Sequence, residues 1–216
     1  MKGKSNIPEK TIERLLLYRR ALLNLKKEKK ISIFSHQVAQ LTEATPVQVR
    51  RDFMQIGYFG SPVYGYDIDQ LIQSISEFVD AGQVQKIALV GLGHLGRAIL
   101  DYIQGRREKL VIAAAFDNDP EKVGRVLHGI RCYPTEQLQD IISAEKIDVA
   151  ILTVPENEAQ EVAERLYRAG VRGILNYAPT RLNLPPDVFV DNRDMLLAVE
   201  KIAFFARLNN RKGNDL

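Results

Sequence analysis

Apolar residues recur at three- and four-residue spacing near the start of the chain, which is the period of an amphipathic helix. Pro8 can occupy the first turn of this helix, because its missing N–H costs nothing there. A basic run, KKEKK at 26–30, ends the predicted helix. The stripe is apolar except for one arginine and consists of Ile12, Leu15, Leu16, Arg19, Leu22 and Leu23.

Two more helices are predicted before residue 57. Ser35 can cap a short helix with the sequence HQVAQL, and TEAT then forms a tight turn. Thr45 is placed to cap a third helix, with Pro46 at its first position and Gly57 just past its end. A helix, a short helix, a tight turn and a helix form the helix-turn-helix arrangement.

The third helix separates into two faces at 100° per residue. Val49, Phe53 and Ile56 fall on the side predicted to be buried. The free side combines arginine, glutamine and apolar groups, which suit guanine, adenine and the thymine methyl in a major groove. The same pattern also serves in protein-docking modules, so that interpretation stays open. The free side carries Val47, Gln48, Arg51, Met54 and Gln55, with Arg50 on its flank.

The segment GYFGSPVYGYDI at 57–68 predicts a two-stranded β-wing with a tight tip. The sequence has no Lys or Arg between Arg51 and Lys86. We therefore expect the wing to contact DNA through backbone N–H groups, a serine and tyrosine hydroxyls. The complete set of predicted DNA-binding residues is Gln48, Arg50, Arg51, Gln55, Tyr58, Ser61, Tyr64 and Tyr66.

Strands and helices alternate in the second part of the chain, which predicts a parallel, doubly wound sheet of the Rossmann type. The predicted strands are VQKIALV (84–90), LVIAAAF ending before Asp117, IRCYP (130–134), IDVAILTVP (147–155) and VRGILNYAP (171–179). We expect an α/β protein with a winged helix-turn-helix domain at 1–80, a Rossmann domain at 81–192 and a C-terminal helix and tail at 193–216.

A glycine-rich turn, GLGHLG, follows the first of these strands directly. Gly91 allows the tight turn, Gly93 lets the backbone approach a pyrophosphate, and Gly96 lets helix and strand pack closely. The intervening His94 and Leu95 lie where helix N–H groups would meet phosphate charge. This context predicts a dinucleotide site.

Asp117 lies 26 residues beyond Gly91, near the usual spacing for a carboxylate that binds the adenosine ribose. Such a carboxylate favours NAD(H) over NADP(H), because it repels a 2′-phosphate. The plainer alternative is a residue that caps the strand end. Since ligands of such sheets bind at the carboxyl ends of strands, the other candidates are Thr153, Val154, Pro155, Asn176 and Tyr177.

Composition narrows the class of protein. The chain has 216 residues, 45% hydrophobic and 26% charged, and no run of the ~18 apolar residues that a membrane span needs. One cysteine excludes an internal disulfide and a cysteine-built zinc site, which favours a reducing, cytoplasmic setting. Residues 1–60 hold 12 basic and 5 acidic side chains against 18 and 22 in the remainder, so the basic part is a candidate polyanion-binding face.

Catalytic groups are not recognisable in the sequence. The sheet uses almost all of the remaining chain, so no substrate domain fits, and no tyrosine has a lysine four residues on. No three histidines or carboxylates have metal-ligand spacing. We therefore expect no enzyme and no metal, but a DNA-binding output domain controlled by a nucleotide.

The final helix, RDMLLAVEKIAFFARLNN at 193–210, is strongly apolar. Its apolar face includes Met195, Leu196, Val199, Ile202, Ala203 and Ala206, and Phe204 and Phe205 widen it. Such a helix needs a partner surface. It packs either on its own domain or in a second subunit.

The chain resembles the Rex family of redox-sensing transcriptional repressors over roughly residues 7–210. The motifs, in family order, are QVRRD, GYFG…GYD, VGLGHLG, FDNDPEKVG, LTVP, NYAP and DNRDML. The resemblance implies a homodimer that exchanges C-terminal helices, binds NAD(H), represses genes from an inverted-repeat operator, and leaves DNA when NADH binds.

The resemblance also implies a switch. Tyr102 and Asp194 match family residues near the nicotinamide, and Arg20 matches the basic partner of that aspartate. Asp194 can equally cap the last helix. Arg51 stands where relatives often have Lys, and Met195, near the nicotinamide, where they often have Phe. Two other classes stay open: a repressor that senses another nucleotide such as coenzyme A, and a small NAD-dependent oxidoreductase.

Overall fold

The computed structural model describes residues 7–80, 83–106 and 109–213. The chain divides into two compact units, Met1–Gln83 and Val84–Leu216. Each unit has its own hydrophobic core. In the described ranges, none of the helices combines the length and apolar character needed to cross a membrane.

Within its described residues, 7–80 and 83, the first unit contains four helices and two very short strands. The predicted helix-turn-helix is confirmed, and a fourth helix, absent from the sequence prediction, completes the unit. The elements are α1 (Glu9–Lys27), β1 (Ser32–Ile33), α2 (Ser35–Thr42), α3 (Pro46–Gln55), β2 (Tyr66–Asp67) and α4 (Ile68–Asp80).

Helix α3 lies as its apolar period predicts. Val49 and Phe53 are fully buried, and Ile56 packs against the same core. The Thr45 hydroxyl accepts a hydrogen bond from the Gln48 N–H at 3.2 Å and caps the helix N-terminus. The opposite face therefore points away from the core of this unit.

One local prediction in this unit is wrong, and another is confirmed only in part. Ser35 does not cap α2, because the helix begins at Ser35 itself and the Gln37 side chain accepts from the Phe34 N–H at 2.9 Å. The wing has the predicted tight tip, closed by hydrogen bonds between Ser61 and Gly65 at 2.7 and 2.8 Å, but it is not a regular two-stranded hairpin. Ser61 and Gly65 form an isolated bridge, and β2 pairs with the unpredicted β1, with Ile33 opposite Tyr66. A two-residue strand is too short to leave an alternating pattern.

The second unit is an α/β sheet covered by helices. Its strands are β3 (Gln85–Val90), β4 (Leu110–Asp117), β5 (Val126–Leu127), β6 (Ile130–Pro134), β7 (Val149–Leu152), β8 (Gly173–Asn176) and β9 (Phe189–Asn192). Its helices are α5 (His94–Ile103), α6 (Leu138–Glu145), preceded by a 3₁₀ turn, α7 (Glu156–Arg168) and α8 (Met195–Gly213). The sequence prediction lacked β5 and β9.

The strand order is β5-β6-β4-β3-β7-β8-β9, parallel throughout except for β5. Counted within this unit without β5, the order is 3-2-1-4-5-6, which is that of the Rossmann fold. The order reverses between β3 and β7, so the carboxyl ends of these two strands flank the crevice where such folds bind ligands.

Two further features of this unit concern its core and its last helix. Cys132 on β6 is 1% exposed, and burial raises the pKa of its thiol to about 11.

Helix α8 carries eight large apolar side chains that are 39–67% exposed in the single chain. They are Met195, Leu196, Leu197, Val199, Ile202, Phe204, Phe205 and Leu208. The helix therefore does not bury its apolar face against its own domain.

Candidate nucleotide site and DNA-facing helix

The glycine turn joins β3 to α5 at the point where the strand order reverses. Gly91 has a φ of +92°, and a Cβ there would lie 2.6 Å from the Thr153 carbonyl oxygen. A Cβ at Gly96 would overlap with the Gly91 carbonyl oxygen. A Cβ at Gly93 would meet no described atom within 4 Å, so this side of the turn is open. The turn is tight against the protein and open outward, which fits a pyrophosphate.

Thr153 holds this turn in place. Its hydroxyl donates to the carbonyl oxygens of Gly91, at 2.7 Å, and Val90, at 3.0 Å, and its N–H donates to Val90 O at 2.8 Å. The sequence predicted that Thr153 contacts the ligand. In the structure its hydroxyl mainly holds the loop after β7 against the glycine turn after β3.

A cavity of about 410 Å³ opens beside the turn. It brings together five of the predicted cofactor residues, Gly91, Gly93, Thr153, Val154 and Pro155, and the predicted ribose ligand Asp117. Lys122, Asn118, Thr135 and Glu158 also line it, and sequence reasoning assigned none of these four to the site. The cavity spans the switch point, as expected for a nucleotide.

Asp117 ends β4 at the rim of this cavity. Its Oδ2 accepts from the Leu92 N–H at 2.6 Å, and its Oδ1 accepts from the Asp119 N–H at 2.9 Å. Lys122 Nζ lies 3.2 Å from Oδ2. The carboxylate thus ties the glycine turn to the end of β4, which is the capping role weighed from the sequence.

Other predicted cofactor residues lie elsewhere in the second unit. Tyr102 on α5 is 60% exposed, and the Arg106 guanidinium lies 4.1 Å from the centre of its ring. His94 is exposed and Leu95 half-buried at the start of α5, and Tyr177 packs beside the core. Met195 is 58% exposed at the start of α8.

The prediction for Asn176 needs correction. This residue is fully buried, and its amide donates to Thr180 O and to Asn192 Oδ1, both at 2.8 Å. Its Oδ1 accepts from the Ala178 N–H at 3.0 Å. The side chain is occupied in joining β8, β9 and the loop between them, so it shapes the strand end instead of facing a ligand.

Asp194 precedes α8 and lines a separate cavity of about 380 Å³ with Arg181, Leu197 and Lys201. Its Oδ1 accepts from the Leu197 N–H at 2.9 Å, so in the single chain it caps the helix. Arg20, its candidate partner from the family pattern, is exposed on α1 in the first unit.

The outward face of α3 presents the predicted DNA-facing residues unevenly. Arg51 and Gln55 are exposed, while Arg50 is exposed and donates to Ser35 Oγ at 3.0 Å. Val47 and Met54 on the same face are each 58% exposed. Gln48 is half-buried, and its amide donates to Asp52 at 2.9 Å.

The wing residues also separate. Tyr64 is 77% exposed, and Tyr58 is half-buried near the Asp67 carbonyl. The Ser61 hydroxyl accepts from the N–H groups of Val63 and Tyr64, both at 3.2 Å, so these tip groups already have a partner. Tyr66 is only 9% exposed and packs edge-on against Phe53, so it is a core residue and the prediction that it faces DNA is wrong.

Asp52 is the residue on α3 that the sequence analysis missed. It is buried, yet it accepts from Arg14 at 2.7 and 2.8 Å, from Tyr18 at 2.9 Å and from Gln48. Burial alone would raise the pKa of Asp52, but these hydrogen bonds outweigh it and lower the pKa below its ordinary value. The network fixes α3 to α1.

No group of three His, Cys, Asp or Glu side chains within the described ranges is arranged to hold a metal ion.

The fold and the crevice define a class of protein that joins a helix-turn-helix unit to a Rossmann nucleotide-binding unit. Two family models match accordingly: "Putative DNA-binding protein N-terminus" over residues 6–53 and "CoA binding domain" over residues 83–180.

Comparison with whole proteins names the family. The chain is 37% identical to the redox-sensing transcriptional repressor Rex of Lactobacillus acidophilus, over 98% of this chain and 99% of the relative. It is also 37% identical to Rex of Desulfitobacterium hafniense, over 92% of this chain and 94% of the relative. The chain belongs to the Rex family of redox-sensing transcriptional repressors.

Two solved structures share the fold over nearly the whole chain. RSP, a Rex-family repressor, crystallised with β-NAD⁺ and operator DNA, has a TM-score of 0.87 and 29% identity, covering 97% of this chain and 95% of that one. RSP with β-NADH has a TM-score of 0.83 and 28% identity, covering 97% of both chains.

Proposed function

We propose that this protein is a DNA-binding transcriptional repressor that senses the ratio of NADH to NAD⁺. The second unit binds NAD(H), and NADH releases the first unit from operator DNA. The observation that carries the proposal is the likeness over nearly the whole chain to RSP, of which one structure holds β-NAD⁺ with operator DNA and another holds β-NADH.

The dinucleotide would bind across the crevice at the switch point. Backbone N–H groups of the turn from Gly91 to Gly96 would hold the pyrophosphate, and Asp117 the adenosine ribose. Val154 and Pro155 would line its path, with Tyr102, Tyr177 and Met195 toward the nicotinamide. The bound cofactor supplies a signal, because NADH and NAD⁺ differ by a hydride and a positive charge.

DNA recognition is assigned to α3 and the wing tip. Arg51 and Gln55, with Arg50 at the flank, can reach base edges or phosphates, while Val47 and Met54 can contact thymine methyl groups. Tyr64 at the exposed tip can reach the sugar–phosphate backbone. We propose that the repressor acts in the cytoplasm, where its operator DNA is. We also propose that it has no catalytic activity.

A homodimer is proposed from α8. Its exposed apolar side chains require a covering surface, and exchange of α8 between two copies would provide it. A two-fold symmetric dimer would read an inverted repeat whose half-sites are spaced by whole helical turns. Asp194 at the start of α8 would then pair with Arg20 in one state and turn to the Tyr102 side of the nicotinamide in the other.

The decisive experiment is an operator-binding titration repeated with NADH, NAD⁺, NADPH and coenzyme A. We expect NADH to release the protein from DNA at concentrations where NAD⁺ does not. Equal responses to NADH and NAD⁺ would contradict the proposal.

Arg51→Ala should weaken operator binding by about 1–3 kcal/mol while NADH affinity stays unchanged, since it removes one base or phosphate contact.

Asp194 offers a sharper test of the coupling. Asn also caps helices well, so Asp194→Asn keeps the bond to the Leu197 N–H and removes only the charge. We expect this variant to dimerise, to bind NADH and DNA, and to need at least about tenfold more NADH for release, the effect of about 1.4 kcal/mol of lost coupling. Release at the wild-type NADH concentration would mean that the signal travels through another contact.

Coenzyme A is the second candidate ligand, because the family model matching residues 83–180 is that of a CoA binding domain. The two ligands share an adenosine diphosphate but differ at the ribose, where coenzyme A carries a 3′-phosphate. Release of DNA by coenzyme A and not by NADH in the titration would favour this candidate.

A further inference from the structure

The oxygens of Asp117 are fully engaged before any ligand enters. Oδ2 accepts from the Leu92 N–H at 2.6 Å and lies 3.2 Å from Lys122 Nζ. Oδ1 accepts from the Asp119 N–H at 2.9 Å and lies 3.3 Å from the same ammonium. Two donors per oxygen is close to the full capacity of a carboxylate. Ribose hydroxyls that donate to Asp117 must therefore displace one of these donors, and the lysine is the one on a flexible stem.

Lys122 is held in the cavity wall as a cation. Its side chain is 22% exposed and also lies 3.3 Å from Asp119 Oδ2. Burial would lower the pKa of Lys122, but the hydrogen bonds and charges of Asp117 and Asp119 outweigh it and raise the pKa. A turn in which Lys122 N donates to Asp119 O at 2.9 Å fixes the backbone below it. A charged ammonium thus stands beside the acid expected to select the ribose.

We infer that Lys122 is a specificity-determining residue, which acts with Asp117 to set how strongly the site rejects a phosphorylated adenosine ribose. This inference rests on the proposed binding of NAD(H). Asp117 alone would repel a 2′-phosphate. Lys122 cancels the charge of that carboxylate and can itself donate to a ribose oxygen or to the phosphate once ribose hydroxyls take its place on Asp117.

The pair also reconciles two features of the second unit. The acid that ends β4 is typical of an NAD(H) site, whereas the family model matching residues 83–180 describes binding of coenzyme A, whose adenosine ribose is phosphorylated. A lysine that moves between the carboxylate and the ligand lets one scaffold hold either kind of ribose. Which kind is preferred then depends on the balance of Asp117, Asp119 and Lys122.

The test compares NADH with NADPH, which differ only in the 2′-phosphate, by calorimetric titration of the full-length protein. For Lys122→Met we expect the ratio of the NADPH to the NADH dissociation constant to rise about tenfold, because one unit charge near a protein surface is lost a few ångströms from the phosphate. NADH affinity should change less than about threefold. For Asp117→Asn, which removes the repelling charge, the ratio should fall by about tenfold.

Arg125→Met is the matched control, because Arg125 is an exposed cation of the same segment whose charge also acts on Asp119 but which makes no hydrogen bond to Asp117 in the described structure. It should shift the ratio by less than about twofold, as expected of a screened surface charge. An unchanged ratio in Lys122→Met, or a shift equal to that of Arg125→Met, overturns the role of Lys122 while leaving NADH sensing intact. Failure of the wild-type protein to bind NADH would instead overturn the proposed function. Retained NADH binding by Lys122→Met shows that the variant is folded.

Discussion

Ending the chain at Asp194 is expected to convert a dimer into monomers. Binding to the full inverted repeat should then weaken by about 10²–10⁴-fold, because the two half-sites are no longer bound by linked subunits. The truncation removes α8 and leaves every strand of the described ranges in place. Burying one large apolar side chain contributes about 1.5–3 kcal/mol, and α8 offers eight that the single chain leaves exposed. Light scattering and a gel shift on full and half operators measure both effects.

Two full-length variants control for the loss of residues 195–216 in the truncated protein. Ile202→Glu/Phe205→Glu places two charges on the apolar surface of α8 and should reproduce the monomer. Glu200→Gln, on the same helix, changes an exposed polar residue and should leave the dimer intact. Retained NADH binding in the monomeric variants would show that the second unit is folded. A truncated chain that remains dimeric with wild-type operator affinity would disprove the assignment of α8.

Asp52→Ala should destabilise the first unit by about 2–4 kcal/mol and abolish operator binding under conditions where the second unit stays folded. The substitution leaves the Tyr18 hydroxyl buried without its acceptor, and it frees Arg14 and Gln48. Because Arg14 is 24% exposed and can reach water, the expected cost lies at the lower end for a buried ion pair. Hydrogen exchange resolved over residues 7–80 during denaturant titration locates the loss.

The pH dependence of the same variant has a definite sign. The folded-state pKa of Asp52 is lowered from 3.8, so its stabilising contribution is complete above about pH 4 and disappears as the pH falls through the folded-state pKa. The stability difference between wild type and Asp52→Ala should therefore shrink in that acidic window. Asp69→Asn, which breaks the exposed pair with Lys26, should cost less than about 1 kcal/mol. A cost for Asp52→Ala as small as this would exclude a supporting role for the network.

Much of the fold was predictable because it depends on local patterns. The period of Val49, Phe53 and Ile56 set the face of α3, and unbroken apolar runs located β3, β4 and β7 correctly. Helix α4 was missed although its apolar period, with Ile68, Leu71 and Ile75, was present in the sequence. Strands β1 and β5 have two residues each, which is too few for any period to show.

The site was less predictable because partners far apart in the sequence decide it. The glycine turn and Asp117 follow a known spacing, and the structure places both at one cavity. Asp52 reads as an ordinary polar residue of α3 until Arg14 and Tyr18, 38 and 34 positions away, meet it in the core. Asn176 was assigned to the ligand because it ends a strand, but only the tertiary structure shows that its amide is used by Thr180 and Asn192.

The burial of Cys132 has a consequence for how the protein responds to oxidative stress. Peroxide attacks thiolates, and a thiol that is 1% exposed with a pKa of about 11 is protonated at neutral pH and out of reach. Sulfenic acid formation at this residue is therefore disfavoured both chemically and sterically. Oxidation of Cys132 should therefore not act as a second input, and the repressor should follow the reduction state of its dinucleotide pool.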